Sequence, residues 1–267
     1  MVVRQLPTRM VAKVWGRNHL PAPFLAPEGQ RIGEIWFEPP PELPQVLVKY
    51  LFTSDKLSVQ VHPSEAQALP GEAGKEECWL VLDAEPDARL AIGFVRAVTS
   101  EEIAAAAQDG TIEQLLAWHT ARAGDLFYLP AGTVHAIGPG LALVEVQQTS
   151  DTTFRLYDYG RPRELHLTRA LAVARGEPYA AAHRRSAASG PVLVDGPHFR
   201  LDRVEGAPDA ATAAAYAGTL MALPLAGEVT ARDRSAKAVA GECLYADGIA
   251  SLDFSAAEVT LLTRASV

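Results

Sequence analysis

Along the first half of the chain, apolar and polar residues alternate in short runs. LSVQVHP, ECWLVL, DLFYLP, LALVEVQQ and TTFRLYDY are rich in β-branched and aromatic residues, the composition of strands. PPPELP, LPGEAGK, PAGTVHAIGPG and YGRPRE punctuate them. Short strands at this spacing predict a mainly β protein, a sandwich or barrel. Two stretches read as helical. Residues 99–119 open with Thr99, Ser100 and two Glu, an N-cap with favourable charge at the helix dipole, and Gly110 should split the stretch in two. Residues 167–176 offer Thr168 as a cap and Gly176 as a stop. The small and polar residues of 177–191 read as a linker or exposed connection, and strand-like patterning resumes after it. The expected division is therefore 1–180 and 181–267, with no visible internal repeat.

Composition narrows the class. The 267 residues are 48% hydrophobic and 21% charged, an ordinary globular balance with length enough for one large or two modest cores. With 24 Lys+Arg against 32 Asp+Glu the net charge is −8, which argues against nucleic acid or an anionic membrane as partner but not against a small anionic substrate. Two cysteines, Cys78 and Cys243, cannot form a disulfide framework. No run reaches the length of a membrane span, and charged residues and Pro7 interrupt the N-terminus where a signal peptide needs an apolar core. A cytoplasmic protein is the expectation.

Three segments carry candidate chemistry. In Leu57-Ser58-Val59-Gln60-Val61-His62-Pro63, period-2 alternation puts Ser58, Gln60 and His62 on one face and Leu57, Val59 and Val61 on the other. In Lys75-Glu76-Glu77-Cys78-Trp79, Lys75 and Glu77 share a face with Trp79 and Val81, and a carboxylate at the mouth of a buried strand suits a metal ligand or a general base. Cys78 reads as a buried small hydrophobe. The third segment, G-x5-P-x-G-x2-H from Gly124 to His135, ends a strand in a Pro-Ala-Gly turn that aims His135 at the next one. Each residue alone is more often a solvated face or a satisfied core group; the combination is the signal.

The third segment resembles the second motif of the cupin superfamily, with Pro139 where the broad pattern has Asn. The first cupin motif is altered: Gln60 stands in place of a His, and Glu77 comes fifteen residues after His62. Those departures resemble one branch. Gln60-Val-His62-Pro63, Gly74-Lys75-x-Glu77-Cys78-Trp79 and Pro130-Ala-Gly-Thr-Val-His135-Ala are similar to the type I mannose-6-phosphate isomerases. So are Val14-Trp15-Gly16, Ile32-Gly33-Glu34-x-Trp36 and the run from Glu145 through Arg155 to Asp158-Tyr159. The resemblance covers residues 14–175 and is closest to short bacterial forms without an extra helical domain.

That resemblance implies two cupin-like jelly-roll β-barrels with a few short helices, the catalytic one N-terminal with a helical insertion. It implies reversible interconversion of mannose 6-phosphate and fructose 6-phosphate through a cis-enediol(ate), and one Zn²⁺ per chain held by Gln60, His62, Glu77 and His135. By residue type alone, two imidazoles, a carboxylate and an amide suit zinc, but also other divalent metals, including the iron of oxygenases. Arg155 matches the family's catalytic arginine; a guanidinium is too weak an acid to serve as a base, which leaves it electrostatic stabilisation or positioning. Lys75 matches a family lysine, for substrate binding or proton transfer. Lys56, Ser58, Glu145 and Arg161 are the candidates for substrate contact. A sugar-phosphate-binding or regulatory cupin without turnover is the alternative. The expected partner is a small sugar phosphate; monomer or homodimer stays open.

Overall fold

The computed structural model describes residues 2–266. It is mainly β, with three antiparallel sheets and few helices. A seven-stranded sheet runs in the order Arg184–Ser186, Asp125–Leu129, Glu77–Ala84, Leu141–Gln148, Val46–Phe52, Ile32–Phe37, Thr8–Arg17. A five-stranded sheet runs Phe154–Tyr157, Val59–Val61, His135–Ile137, Arg89–Phe94, Leu116–Thr120. The third, eight-stranded sheet is built from Leu220–Ala231, Ala257–Ala265, Phe199–Glu205 and their neighbours.

The two faces of each strand explain the layers. In Val46–Phe52 every residue is buried. Val46, Val48, Tyr50 and Phe52 pack against Phe199, Leu201, Met221 and Leu261 of the eight-stranded sheet. Leu51, Trp79, Val81, Phe127 and Leu143 point the other way and meet Leu90, Ile92 and Ile137 of the five-stranded sheet. Between these two sheets, Lys49 interrupts an otherwise apolar strand. The outer face of the five-stranded sheet, with Val59, Val61 and Ala136, is covered by Ile103, Ala106, Ile112 and Ala170 from the helices.

The helical expectations hold in part. Helix Ser100–Asp109 starts at Thr99, whose side chain and that of Glu102 form a reciprocal capping box, and ends at Gly110 with φ 83°. A short helix, Ile112–Leu115, follows as expected, but Leu116–Thr120 is a strand paired with Arg89–Phe94. Helix Leu167–Val173 is preceded by His166 rather than capped by Thr168, and ends before Gly176. Gly176 has a different reason to be glycine: a Cβ there would lie 2.0 Å from the Val98 carbonyl oxygen. Segment 177–191 is largely exposed, as a connection would be, and within it Arg184–Ser186 adds an edge strand to Asp125–Leu129. At the other end, Val3–Gln5 pairs with Leu244–Ala246 in the eight-stranded sheet, so strand pairing crosses residue 180 in both directions.

Candidate active site

Between the seven- and five-stranded sheets lies a polar cavity of about 260 Å³, lined among others by Ser58, Gln60, Lys75, Glu77, Glu145 and Arg155. The candidate site residues converge because their strands are adjacent. His135 is the direct cross-strand partner of Gln60, and Gln60 of Arg155. Glu77 arrives from the other sheet, at the start of Glu77–Ala84, paired with Gln147. Ligand atoms of His62, Glu77 and His135 all lie within 4.8 Å of one another, and all three residues are buried.

Each imidazole is oriented by a carbonyl. His62 Nδ1 donates to Thr152 O at 2.8 Å and His135 Nδ1 to Thr133 O at 2.9 Å, since a carbonyl can only accept. Both Nε2 lone pairs therefore face Glu77, at 3.6 Å from Oε2 for His62 and 3.3 Å from Oε1 for His135. Burial holds both histidines below their ordinary pKa, more strongly for His62, where the nearby Lys75 charge adds to it. Burial alone would raise the Glu77 pKa, but Lys75 and His135 outweigh it and keep the carboxylate ionised. The three residues thus turn acceptor atoms toward one another, with the Lys75 ammonium beside His62 Nε2 and Glu77 Oε2, an arrangement that suits a cation. Four ligands about 2.1 Å from a tetrahedral zinc lie roughly 3.4 Å apart, close to these separations. The residues fit a divalent ion.

Gln60 completes the ring in a different orientation. Its Oε1 accepts from Ser58 Oγ at 3.1 Å and its Nε2 lies 3.2 Å from His135 Nε2. A half-turn of the amide exchanges oxygen and nitrogen in place and would bring the oxygen to the cluster. Lys75 Nζ lies 2.6 Å from Glu77 Oε2 and 3.0 Å from His62 Nε2. Its pKa is raised: burial works against the charge, and Glu77 and Glu145 more than restore it. Glu145 sits 3.5 Å from Lys75 and 3.6 Å from Lys49; burial raises its pKa against the pull of the two lysines.

Arg155 lines the cavity together with Thr153, as alternation predicts. Tyr157 does not share their face, because a register shift between Arg155 and Tyr157 turns it onto the helix side, where its hydroxyl packs on Gly110. The backbone of Arg155 is bracketed by His166, whose Nδ1 accepts from Arg155 N at 3.1 Å and whose N–H donates to Arg155 O at 2.8 Å. His166 thus supports a site residue, although no sequence motif marks it.

Lys56 and Arg161 are brought together elsewhere. Both stack on the Tyr159 ring, at 5.1 and 5.4 Å from its centroid, outside the residues lining the cavity. Lys56 pairs with Glu113 at 2.5 Å, and Arg161 with Asp55 at 2.7 Å and Asp158 at 3.2 Å. Tyr159 has φ 56°, an uncommon conformation for a residue with a Cβ, and its buried hydroxyl has no hydrogen-bond partner among the described residues.

Lys13, Lys49, Arg163 and Asp151 also line the cavity, although no sequence motif singles them out for a role, nor Glu34 and Trp36 beyond their place in a family-like run. A signal for Lys49 was present: a lone lysine inside VLVKYLF, where every neighbour must be buried.

Comparison with known proteins agrees with the motifs. No family model matches the chain. The mannose-6-phosphate isomerase ManA of Bacillus subtilis is 44% identical over 137 residues, 48% of this chain and 43% of that protein. The mannose-6-phosphate isomerase of Streptococcus mutans is 44% identical over 136 residues, again 48% and 43%. The chain is similar to the mannose-6-phosphate isomerases. The matched region spans less than half the length of those relatives. In fold the likeness extends further. The crystal structure of the mannose 6-phosphate isomerase from Bacillus subtilis superposes with a TM-score of 0.77 at 23% identity, covering 97% of this chain and 98% of that one. A phosphomannose isomerase variant from Salmonella typhimurium gives 0.73 at 14% identity, with 99% and 100% covered. At those identities the likeness is one of fold. Among the described residues no helix is long and apolar enough to cross a membrane.

Proposed function

We propose that the chain is a divalent-metal-dependent aldose–ketose isomerase that interconverts mannose 6-phosphate and fructose 6-phosphate. The observation that carries this reading is the convergence of two neutral imidazoles on an ionised carboxylate, Glu77, which itself lines a cavity shared with the cationic Lys75 and Arg155. Moving a proton between C1 and C2 needs polarised sugar oxygens, a proton carrier and stabilisation of a cis-enediol(ate). In our reading His62, Glu77, His135 and Gln60 hold one zinc ion, which when bound supplies electrophilic polarisation and a template for the sugar oxygens. Arg155 holds positive charge where the enediolate develops. Lys75, raised in pKa between two carboxylates, acts as a donor to the substrate and holds its proton through the reaction.

Ser58 and Glu145 line the cavity and are proposed to orient sugar hydroxyls. For Lys56 and Arg161 we propose contact with the anionic end of the sugar. The unpartnered hydroxyl of Tyr159 beside them offers a further donor, and strained backbone of this kind collects at functional sites. We also propose two cupin-like barrels divided near residue 180, with Val3–Gln5 contributed to the C-terminal sheet and Arg184–Ser186 to the N-terminal one. A small sugar phosphate as partner and a cytoplasmic location belong to the same proposal.

The test is an isomerisation assay with metal quantified in the same sample. Activity that disappears on chelation and returns with zinc supports the reading. Full activity in demonstrably metal-free protein defeats it. Binding of the sugar phosphate by metal-loaded protein, without product at high protein concentration, would favour a binding role instead.

A further inference from the structure

Trp36 stands directly opposite Lys49 in the antiparallel ladder, and Lys49 directly opposite Glu145. Side chains paired this way share a face at about 5 Å. The contacts follow: Lys49 Nζ lies 4.6 Å from the Trp36 ring centroid and 3.6 Å from Glu145 Oε1. Among the described residues the ammonium donates no hydrogen bond. The ring is itself fixed. Trp36 Nε1 donates to Glu34 Oε2 at 2.7 Å, and Lys13 Nζ lies 3.3 Å from that same oxygen. Glu34 is buried, so this anchor is sheltered from solvent.

We propose that Trp36, clamped by Glu34, is a positioning residue that sets the Lys49 ammonium in the cavity. A lysine is a point charge on a flexible four-carbon stem, and beside a buried carboxylate it would ordinarily close into a hydrogen-bonded pair. The face of an indole attracts the cation without accepting any single N–H. The ring therefore holds the charge while leaving its donors to meet the substrate's oxygens. The kinetic consequence rests on the isomerase reading above; the contact itself rests on the ladder.

The experiment uses the full-length, metal-loaded protein. Trp36→Leu is expected to lower kcat about tenfold with KM within about twofold and metal content unchanged, and Trp36→Phe, which keeps an aromatic face, to recover part of the loss. In a Lys49→Gln background Trp36→Leu should have no further effect; full additivity of the two losses overturns the proposal. A second readout does not need activity. With labelled lysine, the Lys49 ε-methylene protons should resonate upfield under the indole ring current and move downfield in Trp36→Leu; an unmoved resonance overturns the proposal. Absence of isomerase activity in the wild type would sink the functional reading and leave this resonance to decide the contact. If Trp36→Leu fails to fold, Glu34→Leu frees the ring while keeping it. That variant should reproduce the kcat loss, with Glu34→Gln, which keeps an acceptor, recovering most of it. Equal losses in Glu34→Leu and Glu34→Gln would refute the clamp.

Discussion

Lys75 and Glu77 lie two residues apart and their charged atoms meet at 2.6 Å, with both side chains buried. Lys75→Met leaves that carboxylate without its counter-charge, and an unpaired buried charge costs about 3 kcal/mol or more. A divalent ion at His62, Glu77 and His135 would supply the missing charge. The variant should therefore be destabilised in chelator and largely restored by zinc, with a larger metal-induced rise in Tm than the wild type shows. Bound metal should stay stoichiometric while turnover falls about a hundredfold. Equal metal-induced shifts in the two proteins would separate Lys75 from the metal site.

His135 contributes differently, because its Nε2 is one of the converging atoms and its Nδ1 is already committed to Thr133 O. His135→Ala removes one of the converging ligand atoms and leaves Glu77 facing His62 and Lys75. Metal content and activity are expected to fall together, with the fold retained by circular dichroism. Retained stoichiometric metal would show that the ion sits on another set of residues.

Arg155 enters the cavity from a strand whose backbone His166 brackets on both sides. Arg155→Lys keeps the charge but loses the planar fork, including the Nη1 bond to Glu164 O at 2.6 Å. Turnover should drop by about two orders of magnitude with metal content unchanged, the size expected for losing one preorganised electrostatic contact. A change confined to KM would instead assign Arg155 to substrate binding alone.

What the sequence disclosed follows the reach of local rules. Period-2 alternation put Trp79 and Val81 on the cavity side and Cys78 and Leu80 on the opposite side, because register in a sheet buried on both faces is strongly specified. The Thr99 cap was legible because it depends on residues three apart. The face of Tyr157 was not, because an extra residue between Arg155 and Tyr157 in its own strand, against one step in the partner, breaks the alternation. Lys49 escaped, and Glu34 and Trp36 stood only as part of a family-like run, because the Trp36–Lys49 contact comes from cross-strand pairing; Gly176 escaped because its constraint is a carbonyl from a distant loop. The pairing of 184–186 as an edge strand is likewise a tertiary outcome that Arg184, Arg185 and Ser186 do not announce.

In the C-terminal sheet, Arg200 grips the fully buried Asp202 with two bonds, Nε to Oδ1 at 2.9 Å and Nη2 to Oδ2 at 3.0 Å. Burial raises the Asp202 pKa above its ordinary value although Arg200 pulls it down. A carboxyl with a raised folded pKa holds its proton more tightly when folded. Its ionised form therefore costs stability above that pKa, and the cost fades as pH falls toward the unfolded value. Arg200→Met removes the opposing pull and moves the pKa higher still. The expected deficit at neutral pH is about 3 kcal/mol, shrinking as pH is lowered into the usual carboxylate range near roughly 4. Urea midpoints of wild type and variant across that range measure it. A deficit that stays constant with pH would assign the loss to packing of the arginine stem rather than to the charge of Asp202.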